Sequence, residues 1–278
     1  MTTISAAAVK ALRDETNVGM MECKKALTEA GGDRAKAIQL LRERGVAIAG
    51  KKAGRAARSG LVASYAAGDG SVGALVEVNC ETDFVARNDV FQAFVASLAE
   101  KAAEQDGELA PRVKDEVTAK IAEIGENIVV RRNVRFVREG HGLVATYIHL
   151  GSKVGVMIEV ACTKPETETR PEFQELARDL TLHVAACQPE FLVRDEVPEA
   201  VVERERAIYA KQVEDKPAAI IDRIVAGKLE KFYAQAVFME QPFVKDADRS
   251  VAQVIADAGR ELDDTLRVRR ACRYQLGE

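Results

Sequence analysis

The sequence predicts an α+β protein with three parts. A three-helix module opens the chain, two duplicated α+β core subdomains with antiparallel sheets follow, and an antiparallel helical hairpin is inserted in the second copy. Three observations carry this. Residues 61–103 recur 82 positions later without a gap, identical at 13 of 43 positions. Helical stripes fill residues 4–45. Helical spacing returns between 200 and 230.

In the first module, Ile4, Ala8, Leu12 and Thr16 share one stripe, and Asn17-Val18-Gly19 breaks the chain. Met20, Cys23, Leu27 and Ala30 form the inner face of a second helix, which Gly31-Gly32 stops. Asp33 suits the N-cap of a third helix, with Ala37, Ile38 and Leu41 inside and Gly45 as its end. Lys51 to Gly60, rich in Lys, Arg, Ala and Gly, is read as a linker; a nucleic-acid arm is the alternative.

Each copy then reads strand, turn, strand, helix. Leu61-Val62-Ala63-Ser64-Tyr65 returns as Leu143-Val144-Ala145-Thr146-Tyr147, and the strand ending at Cys80 returns as the one ending at Cys162. The turn Ala67-Gly68-Asp69-Gly70 suits a hairpin. Asn88 caps a helix over about 89–105, a further helix covers about 112–123, and Pro171 opens one over about 171–186. The arginine-rich strand Val130–Phe136 matches Val268–Tyr274 at an offset of 138 rather than 82, so the second copy holds 56 extra residues. Most of these read as two helices broken at Asp215-Lys216, with Pro217 opening the second. The domain boundaries follow: 1–55 for the module and linker, 56–140 for the first subdomain, 141–187 with 228–278 for the second, and 188–227 for a coiled-coil-like hairpin. Its apolar stripe would serve self-packing or a partner, a second copy of the chain included.

Composition excludes several classes. The net charge of −4 argues against a dominant nucleic-acid footprint. No apolar run approaches the roughly 18 residues of a membrane span, and the first ten residues lack a signal-peptide pattern. Five scattered cysteines, never in Cys-x-x-Cys, point to reduced thiols and a cytoplasmic setting. No metal-ligand cluster, catalytic triad or phosphate-cradling loop can be assembled, so no cofactor and no enzyme activity are expected. His149 and the cysteines offer a weak enzymatic alternative. Arg131, Arg132, Arg135 and Arg138 offer an RNA-binding one, against which neighbouring carboxylates favour a salt-bridged surface.

The sharpest signal is where the copies diverge. Cys80 precedes Glu81-Thr82-Asp83-Phe84-Val85, whereas Cys162 precedes Thr163-Lys164-Pro165-Glu166-Thr167. Glu166, matching Phe84, cannot be core, so the fold does not require an aromatic there. An exposed Phe84 would act as a wedge, gaining about 1.5–3 kcal/mol in a partner's pocket. On the second helix, Met20 is read as core, while Met21, Lys24 and Lys25 fall on another face that suits an acidic partner helix.

Leu12-Arg13, Gly19 to Leu27, Glu77 to Ala86, Ile124-Gly125-Glu126-Asn127 and Gln241-Pro242-Phe243-Val244 together resemble the bacterial elongation factor Ts family, along essentially the whole chain. The resemblance implies a guanine-nucleotide exchange factor for elongation factor Tu, with a ubiquitin-associated-like (UBA-like) N-terminal module. It implies that Thr82, Asp83, Phe84 and Val85 act on the partner's GTPase domain. Phe84 would enter a pocket with Asp83 beside it and shift the elements around the partner's Mg²⁺ and phosphates. Arg13, Met20, Met21, Lys24 and Lys25 would hold the same domain, Ile124 and Gly125 would lie near the wedge, and His149 would touch another part. The implied partner is elongation factor Tu, GDP-bound and nucleotide-free, with no direct nucleic acid and no membrane. Asn17-Val18-Gly19 replaces the family's commoner turn, and the chain ends just after its last strand; both are expected to alter affinity rather than mechanism.

Overall fold

The structure is a computed structural model that describes residues 4–16, 18–149, 151–214 and 216–278. The chain folds as two compact units. The first takes the described residues up to Ala63, with Val76–Val134 and Leu276–Glu278; the second takes Ser64–Leu75 and Arg135–Gln275. Helices and antiparallel strands mix within the chain, which is α+β.

Three helices open the first unit: α1 (Ala6–Thr16), α2 (Met20–Glu29) and α3 (Arg34–Lys52). Their shared core is Val9, Leu12, Cys23, Ala26, Leu27, Ala30, Ala37 and Leu41. Asp33 caps α3 by accepting the Lys36 N–H at 3.0 Å. Asn17, within the expected break after α1, lies outside the described residues. Three expectations are corrected here. Ala8 faces outward and Val9 takes its place in the core. Met20 is exposed, because Cys23, Ala26 and Leu27 already fill the inner face of α2. Gly45 does not end α3, which continues seven residues further. Gly45 is buried, and a Cβ there would touch Ala122 Cβ at 3.5 Å, so its smallness serves close packing. Of the expected linker only Lys51 and Lys52 belong to the helix, and Ser59 and Gly60 already belong to the next strand.

The first copy follows as β1 (Ser59–Ala66), β2 (Val72–Cys80), the single turn α4 (Asp83–Ala86), α5 (Asp89–Glu104), the short α6 (Leu109–Arg112), α7 (Lys114–Ile124) and β3 (Ile128–Val137). Its sheet has the order β1-β2-β3. Asn88 caps α5 through the Val90 N–H at 2.8 Å. The second copy is β4 (Gly142–His149), β5 (Val154–Ala161), a 3₁₀ turn at Pro165–Thr169, α8 (Pro171–Cys187), α9 (Glu199–Lys211), α10 (Ala218–Ala236), β6 (Pro242–Phe243), β7 (Asp246–Ser250), α11 (Val251–Glu261) and β8 (Arg267–Gln275). β5 lies between β4 and β8, antiparallel to both. Its apolar residues pack with Phe173, Leu176 and Leu180 of α8 and Val251, Val254 and Ile255 of α11.

The two copies correspond at several structural positions. Gly60 and Gly142 both have φ +142°, and a Cβ at either would lie 2.2 or 2.1 Å from a carbonyl, that of Val78 or Val160. Phe91 and Phe173 are fully buried, as are Leu98 and Leu180. Glu77 and Glu159, in mid-strand, are buried carboxylates. Each is gripped by two guanidiniums, which a buried charge requires. Arg131 and Arg132 reach Glu77 at 2.9 and 2.6 Å; Arg270 and Arg269 reach Glu159 at 2.7 and 3.7 Å. Burial would raise the Glu77 pKa, but the Gly277 N–H, Arg132 and Arg131 outweigh it and hold the carboxyl below its usual range. Arg138 is likewise bound to Glu168 at 2.9 Å. Arg131, Arg132 and Arg138, offered for RNA, are thus engaged with carboxylates.

α9 and α10 pack through Val213, Val225 and Leu229, ringed by Val202, Tyr209, Ile221, Ile224 and Tyr233. Asp215, in the expected break, lies outside the described residues. α10 runs unbroken across position 227. Arg194 fastens its end, bridging Glu230 and Glu240 while stacking 4.1 Å from the Tyr233 ring centroid.

Candidate partner-binding surfaces

The divergent segment forms a small, braced projection on the first unit. Thr82 leaves β2 in extended conformation and caps α4, its Oγ1 accepting the Val85 N–H at 3.3 Å. An isolated turn of four residues does not hold itself, since nucleation costs more than one bond returns. Tertiary bonds hold this one. Thr82 donates its N–H and its hydroxyl to the two oxygens of Glu126, at 3.0 and 2.6 Å. The Asn127 N–H donates to Glu81 at 2.7 Å, and this bond first, with Arg55 helping, holds the Glu81 carboxyl below its usual range. Ala86 is buried beneath the turn, Val85 is half-buried, and Asp83 pairs with Arg87 at 2.9 Å. Phe84 is 80% exposed, the most exposed large apolar side chain among the described residues. In the second copy the same place is a 3₁₀ turn carrying an exposed Glu166.

Ile124 and Gly125 end α7 immediately before Glu126. Gly125 takes the left-handed conformation (φ +83°) that lets the chain turn back into β3. The Glu126 bonds therefore bring Ile124-Gly125 beside the Phe84 turn. The end of α3 joins the same junction: Lys52 Nζ donates to the Gly125 carbonyl, and Asn127 donates its side-chain amide to the Arg55 carbonyl at 2.8 Å.

Met20, Met21, Lys24 and Lys25 are exposed along α2, and Arg13 is exposed on α1. Met21, Lys24 and Lys25 line a shallow depression with Thr28 and Glu29. Lys25 is paired with Glu22 at 2.8 Å. His149 belongs to the second unit. It is exposed at the end of β4, its Nδ1 2.7 Å from the Tyr147 hydroxyl.

Sequence reasoning missed two sets of residues. Glu126 and Asn127 stand out in the sequence only as part of a motif; the signal that marks them is the 138-residue offset that matches Glu126 to Asp264. His183 is fully buried between Phe238 and Phe243. Its Nδ1 accepts the Val244 N–H at 3.1 Å, so Nε2 carries the proton and donates to Gln241 at 2.8 Å. Burial pushes its pKa down against that bond. Burial, with Asp264 and Glu168 nearby, pushes the Cys162 thiol up to about 11, which leaves it protonated and unreactive at neutral pH. Among the described residues no group of three or more His, Cys, Asp or Glu is placed to hold a metal. No described helix is long and apolar enough to cross a membrane.

Comparison with known proteins decides the family. The profile of the family described as Elongation factor TS matches residues 81–278, beginning one residue before Thr82. The chain is 41% identical over 288 residues to a protein named Elongation factor Ts from Clostridium botulinum, covering 99% of this chain and 93% of that one. It is 41% identical to the Prosthecochloris aestuarii protein of the same name, over the whole of both chains. It is 42% identical to that of Nitratiruptor, over 99% and 93%. This chain belongs to the elongation factor Ts family.

Proposed function

We propose that this chain is a translation elongation factor that binds elongation factor Tu, GDP-bound or nucleotide-free, and accelerates GDP release. Asp83 and Phe84 enter the GTPase domain and disturb the partner's Mg²⁺ and phosphate site, with Thr82 and Val85 supporting them. Arg13, Met20, Met21, Lys24 and Lys25 hold the same domain, Ile124 and Gly125 flank the wedge, and His149 makes a separate contact. The layout that serves this is a UBA-like module over 1–55, core subdomains over 56–140 and 141–187 with 228–278, and an inserted hairpin over 188–227. The setting is the cytoplasm, and no cofactor, nucleic acid or membrane takes part directly. The exposed Ile208 and Ile220 suit the hairpin to a partner or to a second copy of the chain.

The observation that carries this reading is Phe84, a large apolar side chain held out in water on a braced turn that the sister copy lacks. The chemistry required is displacement, not bond-making. A factor that weakens GDP binding is weakened by GDP to the same degree, so it must prefer the nucleotide-free partner. The test is GDP release from elongation factor Tu with the purified chain added. Release unchanged at saturating chain would end the proposal.

A further inference from the structure

We infer that Glu126 is the positioning residue of the wedge, acting through Thr82 to hold Phe84 in the pose that exchange needs; this rests on the function proposed above. The argument comes from comparing the two copies. Asp264 stands where Glu126 stands, 138 residues on. It accepts from the Thr163 N–H (2.9 Å) and hydroxyl, the Lys164 N–H (3.1 Å), the Thr265 N–H (2.6 Å) and the Thr167 hydroxyl (2.6 Å). The second copy's turn is thus pinned at its start and again at Thr167. In the first copy the residue matching Thr167 is Val85, which has no side-chain donor. Among the described bonds Glu126 takes only the two from Thr82. Its pin therefore sits at one end of the turn, and the other end is left to carry Phe84 outward.

The consequence for binding is direct. A side chain already ordered loses less freedom when it is captured. A turn of four residues without its pin keeps only a few local bonds, which repay little of the cost of ordering it. A carboxylate holds the turn in both copies, so the clamp belongs to the scaffold they share. In this copy it sets the aim of Phe84.

The experiment measures GDP release from elongation factor Tu against concentration of the full chain. For Glu126→Gln, the thermal midpoint and the half-maximal concentration stay close to wild type. The maximal rate falls about tenfold, as small misplacements of a positioned group do. Thr82→Ser, which keeps both donors, stays near wild type; Thr82→Val, which loses the hydroxyl, falls with Glu126→Gln. In a Phe84→Ala background, Glu126→Gln causes no further loss, because it acts through Phe84. An equal further loss in that background overturns the inference, as does a full maximal rate for Glu126→Gln or an equal loss for Thr82→Ser. If Glu126→Gln fails to fold, the Thr82 pair makes the same comparison. Phe84→Ala with full stimulation refutes the wedge, and the inference with it. Loss at Phe84→Ala with none at Glu126→Gln refutes the clamp alone.

Discussion

Replacing Phe84 by Ala separates folding from the proposed exchange role, because the side chain is held mostly in water. Full burial of a Phe side chain is worth about 1.5–3 kcal/mol. With Phe84 80% exposed, folding uses roughly a fifth of that, about 0.3–0.6 kcal/mol. The thermal midpoint should therefore fall by no more than about 2 °C. The remaining four fifths, about 1.2–2.4 kcal/mol, becomes available only in a partner's pocket. That corresponds to a loss of roughly 8- to 60-fold in stimulated GDP release. The assay is release of a fluorescent GDP from elongation factor Tu at sub-saturating chain, beside a thermal melt of the same preparation. Full stimulation by a folded variant would refute the reasoning. A midpoint lowered by 5 °C or more would also refute it, by showing that Phe84 belongs to the core.

Three further outcomes follow from the fold. His183 is held neutral in the folded chain, whereas in the unfolded chain it takes a proton near pH 6.5, so its stabilisation is complete above that pH and is lost below it. Thermal stability should decline as the pH falls below 6.5, with a slope of up to about 1.4 kcal/mol per pH unit, and a His183→Gln variant showing the same slope would exclude this origin. Gly60→Ala places a Cβ 2.2 Å from the Val78 carbonyl, against backbone that cannot yield; urea unfolding should show about 3 kcal/mol lost, whereas Gly68→Ala, which meets nothing within 4 Å, should stay within about 0.5 kcal/mol. Glu77→Ala strands two guanidiniums and should cost about 2–3 kcal/mol in the same assay, less than a fully buried pair because Arg131 and Arg132 still reach water; a loss under 0.5 kcal/mol would mean the grip is idle.

The duplication was readable because burial and backbone strain are local demands that the sequence must meet twice. Gly142 answers Gly60, Phe173 answers Phe91, and Glu159 with its two arginines answers Glu77. The exposure of Phe84 was readable for the opposite reason, since Glu166 shows that the scaffold does without it. What stayed hidden depended on partners distant in sequence. Gly45 looks like a helix stop until α7 is packed against it. Met20 looks like core until Ala26 and Leu27 have filled that space. Glu126 and His183 are ordinary polar residues until Thr82, Gln241 and Val244 come to meet them.

The bond between Gly277 and Glu77 joins residues 200 positions apart, and the last three residues belong to the first unit. On a ribosome, at about 5–20 residues per second, that donor emerges some 10–40 s after the carboxylate it serves. The first copy must therefore wait for a residue made 200 positions later before its buried charge is fully satisfied.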